Sequence, residues 1–138
     1  MNPIDILLVN PRNRANKPAY LPAGITYIAA YLRKHGVEVR IFDRNAEVES
    51  FKQAIERYRP RIVGFSVLTG PTINDAIALS MQTKQLLGDV VVVWGGMHST
   101  LFPGQCLAES YIDVVASGEG EITALELTRA ILDKKPLN

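Results

Sequence analysis

Cysteine is nearly absent from this sequence: Cys106 is the only one among 138 residues. One thiol excludes an internal disulfide framework and any metal centre built from several cysteines. An excess of either charge is missing too, since 15 basic and 14 acidic residues leave a net charge of +1. So even a balance creates no field to draw in nucleic acid or an anionic membrane. Long apolar runs are also lacking. No stretch approaches the length that crosses a bilayer, and the run from Ile4 to Val9, broken by Asp5, is too short for a signal peptide. These absences point to a cytoplasmic chain with neither nucleic acid nor membrane as partner. What is present is a hydrophobic content of 47% against 21% charged residues. That suits one domain, residues 1–138, able to bury a core without staples.

The most informative stretch is Val90-Val91-Val92-Val93-Trp94-Gly95-Gly96. Consecutive β-branched residues read as a strand buried on both faces, as in a parallel sheet covered by helices. The double glycine that stops it permits positive φ or lets a ligand approach bare backbone. A tight turn alone explains it equally well. Around this strand the chain alternates. Strands are expected at 4–9, 37–42, 62–67 and 112–116. Helical stripes follow at Ile25, Ile28, Ala29 and Leu32, then at Phe51, Ala54, Ile55 and Tyr58. A third stripe runs through Ile73, Ala76, Ile77 and Ser80, with Thr72 as its expected N-cap. A short helix around 104–109 and a last one over 121–133 complete the order. Each connection is long enough for a right-handed crossover. The expected fold is therefore α/β and flavodoxin-like: a three-layer sandwich around a five-stranded parallel sheet, order 2-1-3-4-5.

Ligands of such sheets bind at the carboxyl ends of the strands. Several usual occupants are excluded by residues that are not there. No G-x-G-x-x-G follows the first strand, and no P-loop exists. The first and third strands end in Asn10-Pro11 and Ser66, so no acidic cluster of a phospho-receiver forms. His35 reads as a solvated helix-terminal cation, Cys106 as a small buried apolar residue, and Glu121 as a helix-start acid. No nucleophile, base and orienting acid can be named around His98, so no catalytic residue and no metal ligand is assigned. What remains is a neutral crevice of hydroxyls, amides and glycines, suited to a large, mostly apolar ligand.

In that crevice the chain resembles the cobalamin-binding domains, whose pattern is D-x-H-x-x-G after the first strand, S-x-L after the third and G-G after the fourth. Ser66-Val67-Leu68 and Gly95-Gly96 match, and the usual interval back from Ser66 lands on Gly24. The same count puts Ala19 at the aspartate and Leu21 at the histidine that ligates cobalt in the family. Leucine carries no donor atom and cannot ligate a metal. The segments Leu21-Pro22-Ala23-Gly24-Ile25, Trp94-Gly95-Gly96-Met97-His98-Ser99-Thr100 and Gly118-Glu119-Gly120-Glu121 look like the N-terminal domain of cobalamin-dependent radical SAM enzymes. Members of that subgroup commonly lack the Asp–His pair.

The resemblance implies cobalamin as cofactor, held base-off without a protein histidine from the first motif. It implies that Gly24, Gly95 and Gly96 let the backbone close on the nucleotide tail. Ser66 and Thr69 would offer hydroxyls to that tail, with Leu68 completing the motif. Leu21 and Pro22 would pack beneath the corrin, and His98, Ser117, Gly118 and Glu119 would reach its amides. Radical SAM chemistry needs three clustered cysteines for its 4Fe-4S cluster. With one cysteine, this chain is expected to be the N-terminal part of a longer protein. S-adenosylmethionine and the cluster would belong to a C-terminal radical SAM domain, its partner. Two competing readings are a degenerate interaction module that holds no cobalamin and a stand-alone corrinoid carrier, which the loss of the axial histidine disfavours.

Overall fold

Strand and helix alternate along the chain, and the alternation builds a parallel sheet with helices on both faces. The computed structural model describes residues 3–12, 23–46, 49–67, 72–96, 103–116 and 120–134. Strand β1 (Ile6–Asn10) lies between β2 (Val39–Asp43) and β3 (Ile62–Ser66), and β4 (Val91–Gly95) and β5 (Val114–Val115) follow beyond β3. The order is 2-1-3-4-5, with every pairing parallel, as expected from the sequence. The helices are α1 (Ala23–Lys34), α2 (Phe51–Tyr58), α3 (Ile73–Leu86), α4 (Pro103–Leu107) and α5 (Glu121–Leu132).

The sequence stripes decide which helix covers which face. Ile25, Ala29 and Leu32 of α1 and Leu125 of α5 pack with Ile6, Leu8, Ile62 and Val93 on one side. Phe51, Ala54 and Ile55 of α2, Ala76 and Leu79 of α3, and Cys106 of α4 pack with Leu7, Val9, Val63, Phe65, Val92 and Trp94 on the other. Successive strand residues point to opposite faces, so each strand supplies both layers. Trp94 belongs to the second layer, where its indole N–H donates to Ser80 Oγ at 2.9 Å.

Element ends follow hydrogen bonding more closely than hydrophobicity. The first strand begins at Ile6, although Ile4 is also buried, because the backbone N–H groups of Asp5 and Ile6 both donate to Glu38 O. The fifth strand, Val114–Val115, is shorter than the expected 112–116. Asp113 Oδ2 accepts the Val92 N–H at 2.8 Å, so a carboxylate occupies the place of a ladder acceptor. Thr72 does stand at the start of α3, but its αR conformation leaves the side chain making no capping bond. Ser50 makes one that the stripes alone did not indicate: a reciprocal capping box with Gln53 opens α2.

Candidate functional site

The three central strands do not fill both faces equally. Toward α2 and α3 they present Leu7, Val9, Val63, Phe65, Val92 and Trp94, all large and buried. Toward α1 and α5 the residues shrink in the direction of the carboxyl ends. In β3 the order is Ile62, Gly64, Ser66, and in β4 it is Val91, Val93, Gly95. Leu8 pairs with Gly64, which pairs with Val93, and Ser66 pairs with Gly95. Small side chains are thus neighbours across the sheet, and the surface there is dished.

Helices α1 and α5 roof this depression without filling it. A cavity of about 440 Å³ remains, bounded below by Ile6, Leu8, Gly64, Ser66, Val93 and Gly95, and above by Ile25, Ile28, Ala124, Leu127 and Thr128. Gly24, Gly96, Ala116, Gly120 and Glu121 complete its rim at the carboxyl end of the sheet. The walls are mostly apolar, and Ser66 and Thr128 bring hydroxyls to them. Thr128 is buried, Ser66 half-buried, and Glu121, in the first turn of α5, is exposed.

Four of the residues expected from the sequence, Gly24, Ser66, Gly95 and Gly96, line this one cavity although they lie on three different elements or their ends. Leu21, Pro22, Leu68, Thr69, His98, Ser117, Gly118 and Glu119 lie outside the described residues. The glycines differ in what demands them. At Gly24 a Cβ would meet nothing within 4 Å, so the missing side chain leaves space in the cavity rather than relieving a clash. Gly96 has φ of 95°, and a Cβ there would lie 2.9 Å from Val67 N and 3.0 Å from Val67 O. Its glycine is required by the chain itself.

Sequence reasoning passed over Gly64, Ile25, Ile28, Leu127 and Thr128 as cavity residues. The usable signal was Gly64: glycine inside a central strand weakens it, and often marks a close approach by a ligand. The polar cluster at the carboxyl ends of β1 and β2 is internally satisfied. Asn10 Nδ2 donates to Asp43 Oδ1 at 3.1 Å, and buried Asp75 accepts the Arg12 backbone N–H at 2.6 Å and Arg44 Nε at 3.3 Å. Among the described residues no group of three or more His, Cys, Asp or Glu side chains could hold a metal ion. No helix among them is long and apolar enough to cross a membrane.

The model of the B12 binding domain matches residues 17–128. The chain belongs to that family. Among curated proteins, this B12 binding domain is 33% identical over 115 residues to the anaerobic magnesium-protoporphyrin IX monomethyl ester cyclase of Rubrivivax gelatinosus, covering 80% of this chain and 20% of the relative. It is 35% identical over 114 residues to an uncharacterised methyltransferase of Pyrococcus horikoshii, covering 80% of this chain and 24% of that one. The cytidylyl-2-hydroxyethylphosphonate methyltransferase of Streptomyces wedmorensis is 29% identical over 145 residues, with 87% of this chain and 27% of the relative covered. The chain thus spans only about a quarter of the length of these relatives.

In fold, the domain resembles the radical S-adenosylmethionine methyltransferase TsrM of Kitasatospora setae, solved with cobalamin and a 4Fe-4S cluster bound. The TM-score is 0.80 at 24% identity, over 98% of this chain and 26% of that one. A cobalamin-binding protein of Desulfitobacterium hafniense gives a TM-score of 0.69 at 13% identity, over 92% of this chain and 58% of the other.

Proposed function

We propose that this B12 binding domain holds cobalamin for a radical SAM enzyme of which it is the N-terminal part, with the nucleotide tail of the cofactor in the cavity between the sheet and helices α1 and α5. The observation that carries this reading is the convergence of Gly24, Ser66, Gly95 and Gly96 on one apolar cavity. The donor chemistry agrees: an apolar base packs against aliphatic walls, while Ser66 offers a hydroxyl to a ring nitrogen or phosphate that has left water. A dished sheet costs buried contacts that a filled one would make. An occupant of the cavity restores them.

Bound cobalamin would supply a cobalt centre suited to methyl transfer or related chemistry. The chain's own residues would bind and orient it. Leu21 and Pro22 would keep the lower side apolar, and Leu21 offers no donor to a metal. The cofactor would then be held base-off, with no imidazole from the first motif. Leu68, Thr69, His98, Ser117, Gly118 and Glu119, which the family resemblance adds to the site, would complete the contacts to the corrin and tail. The catalytic work, with S-adenosylmethionine and the iron–sulfur cluster, falls to a C-terminal radical SAM domain. The relatives' greater lengths support that division.

Titration of the protein with hydroxocobalamin tests this reading. The visible spectrum should shift to the base-off form, and the corrinoid should stay with the protein through desalting. The cob(II)alamin complex should show an electron paramagnetic resonance spectrum without splitting from an axial nitrogen. Neither a spectral change nor retention would leave the degenerate interaction module as the better account. Nitrogen splitting would instead overturn only the unligated lower face. Sequence beyond Asn138 should carry C-x-x-x-C-x-x-C.

A further inference from the structure

The inner part of the cavity has a narrower chemistry than its rim. Among the described residues it is walled by Ile6, Leu8, Val93 and Leu127, and its polar side chain is that of Thr128. Glu121, the charged residue of the lining, sits in the first turn of α5 and is exposed. Thr128 lies seven positions further along the same helix, roughly 10 Å deeper by helical rise. A group that reaches the inner end therefore leaves charge and water behind and meets hydrocarbon and a hydroxyl.

We propose that this inner cavity selects among corrinoids by the base on their nucleotide tail, taking apolar aromatic bases such as benzimidazoles and phenols in preference to purines. The inference rests on the reading that the cavity receives the tail. A benzimidazole released from cobalt has one ring nitrogen in need of a donor, which the Thr128 hydroxyl can supply. A phenolic base has no ring nitrogen at all. An adenine base brings an exocyclic amine with two donors and several ring nitrogens, more polar atoms than the lining can partner. Pockets of hydrocarbon reject such added polarity only moderately, by about tenfold to a hundredfold. Thr128 is then a residue that sets specificity, distinct from the glycines that make room.

The test is equilibrium dialysis of the wild-type protein against four corrinoids: cobalamin, the p-cresolyl analogue, the adeninyl analogue and cobinamide, which lacks the tail base. Cobalamin and the p-cresolyl form should bind about equally, and the adeninyl form about tenfold to a hundredfold more weakly. Adeninyl binding as tight as that of cobalamin overturns the selectivity while leaving the tail in the cavity. Cobinamide binding as tight as cobalamin, or no binding by any of the four, overturns the tail reading itself. Thr128→Val should weaken cobalamin several-fold and leave the p-cresolyl form unchanged. Equal loss for both would make Thr128 a packing residue and remove it from the selectivity. The wild-type ranking stands whether or not that variant folds.

Discussion

Leu8 and Gly64 are partners across β1 and β3, and a Cβ placed on Gly64 would come within 3.2 Å of Leu8 Cδ2. The neighbour is the far end of a flexible side chain, so the sheet tolerates a larger residue there by a rotamer change. The cavity does not. A Gly64→Leu substitution should fold, with a stability cost of no more than about 1–3 kcal/mol, because it puts hydrocarbon into a hollow lined by hydrocarbon. Cobalamin retention should fall by more than about tenfold, since the side chain would occupy the space left by a missing one. Thermal melting and desalting on the same preparation separate the two effects. Undiminished retention would place the tail elsewhere.

Gly24 and Gly96 should respond in opposite ways to alanine. At Gly24 nothing opposes a methyl group, and glycine in a helix costs roughly 0.5–1 kcal/mol relative to alanine. Gly24→Ala should therefore leave stability equal or higher while lowering corrinoid affinity. At Gly96 the positive φ and the nearby Val67 backbone make Ala a strained residue. Gly96→Ala should lose about 1–3 kcal/mol of unfolding free energy in urea. Its affinity loss should follow from that misfolding of the rim. Equal stability of the two variants would contradict the distinction.

The opposite face offers the control. Ser80→Ala removes the acceptor of the buried Trp94 N–H and should cost about 1–3 kcal/mol. Trp94 faces α3, away from the cavity, so corrinoid affinity of the folded variant should equal that of the wild type. A drop in affinity measured well below the melting temperature would link the two layers of the sheet.

Stability should also depend on alkaline pH through Tyr111. Burial first, then the neighbouring Glu109 and Cys106, raise its phenol above the ordinary value of 10.0. The folded state thus keeps the proton longer than the unfolded chain does. The contribution is fully present below pH 10 and is lost as pH rises through the folded-state value. Urea unfolding at pH 9 and at pH 11 should show a decline between them that Tyr111→Phe diminishes. An identical decline in the variant would assign it to other groups.

Much of this architecture could be read before any coordinates. The valine run, the three helical stripes and the alternation with crossover-length connections dictate a parallel sheet and its helices, because period 2 and period 3.6 leave little choice of face. Gly24, Ser66, Gly95 and Gly96, which line one cavity, were legible as a group through their spacing in a family pattern. The walls were not. Ile25 and Ile28 repeat with the same period as Ala29 and Leu32, and nothing in periodicity tells a side chain that faces a void from one that faces its neighbour. Thr128 was hidden for a related reason: a hydroxyl in an amphipathic helix reads as half-exposed until the sheet beneath it is built. Hydrogen bonds to side chains, such as that from the Val92 N–H to Asp113 Oδ2, also shift strand ends by amounts that hydrophobicity does not carry.

With the cofactor's tail in it, as proposed, the hollow beneath α1 and α5 would tie the stability of this domain to corrinoid supply. A ligand that binds only the native state raises its stability by about 2.7 kcal/mol at a hundredfold excess over its dissociation constant. The empty form would stand lower on that scale and open more often to proteolysis. Scarcity of corrinoid would therefore leave more of the protein in its less stable form.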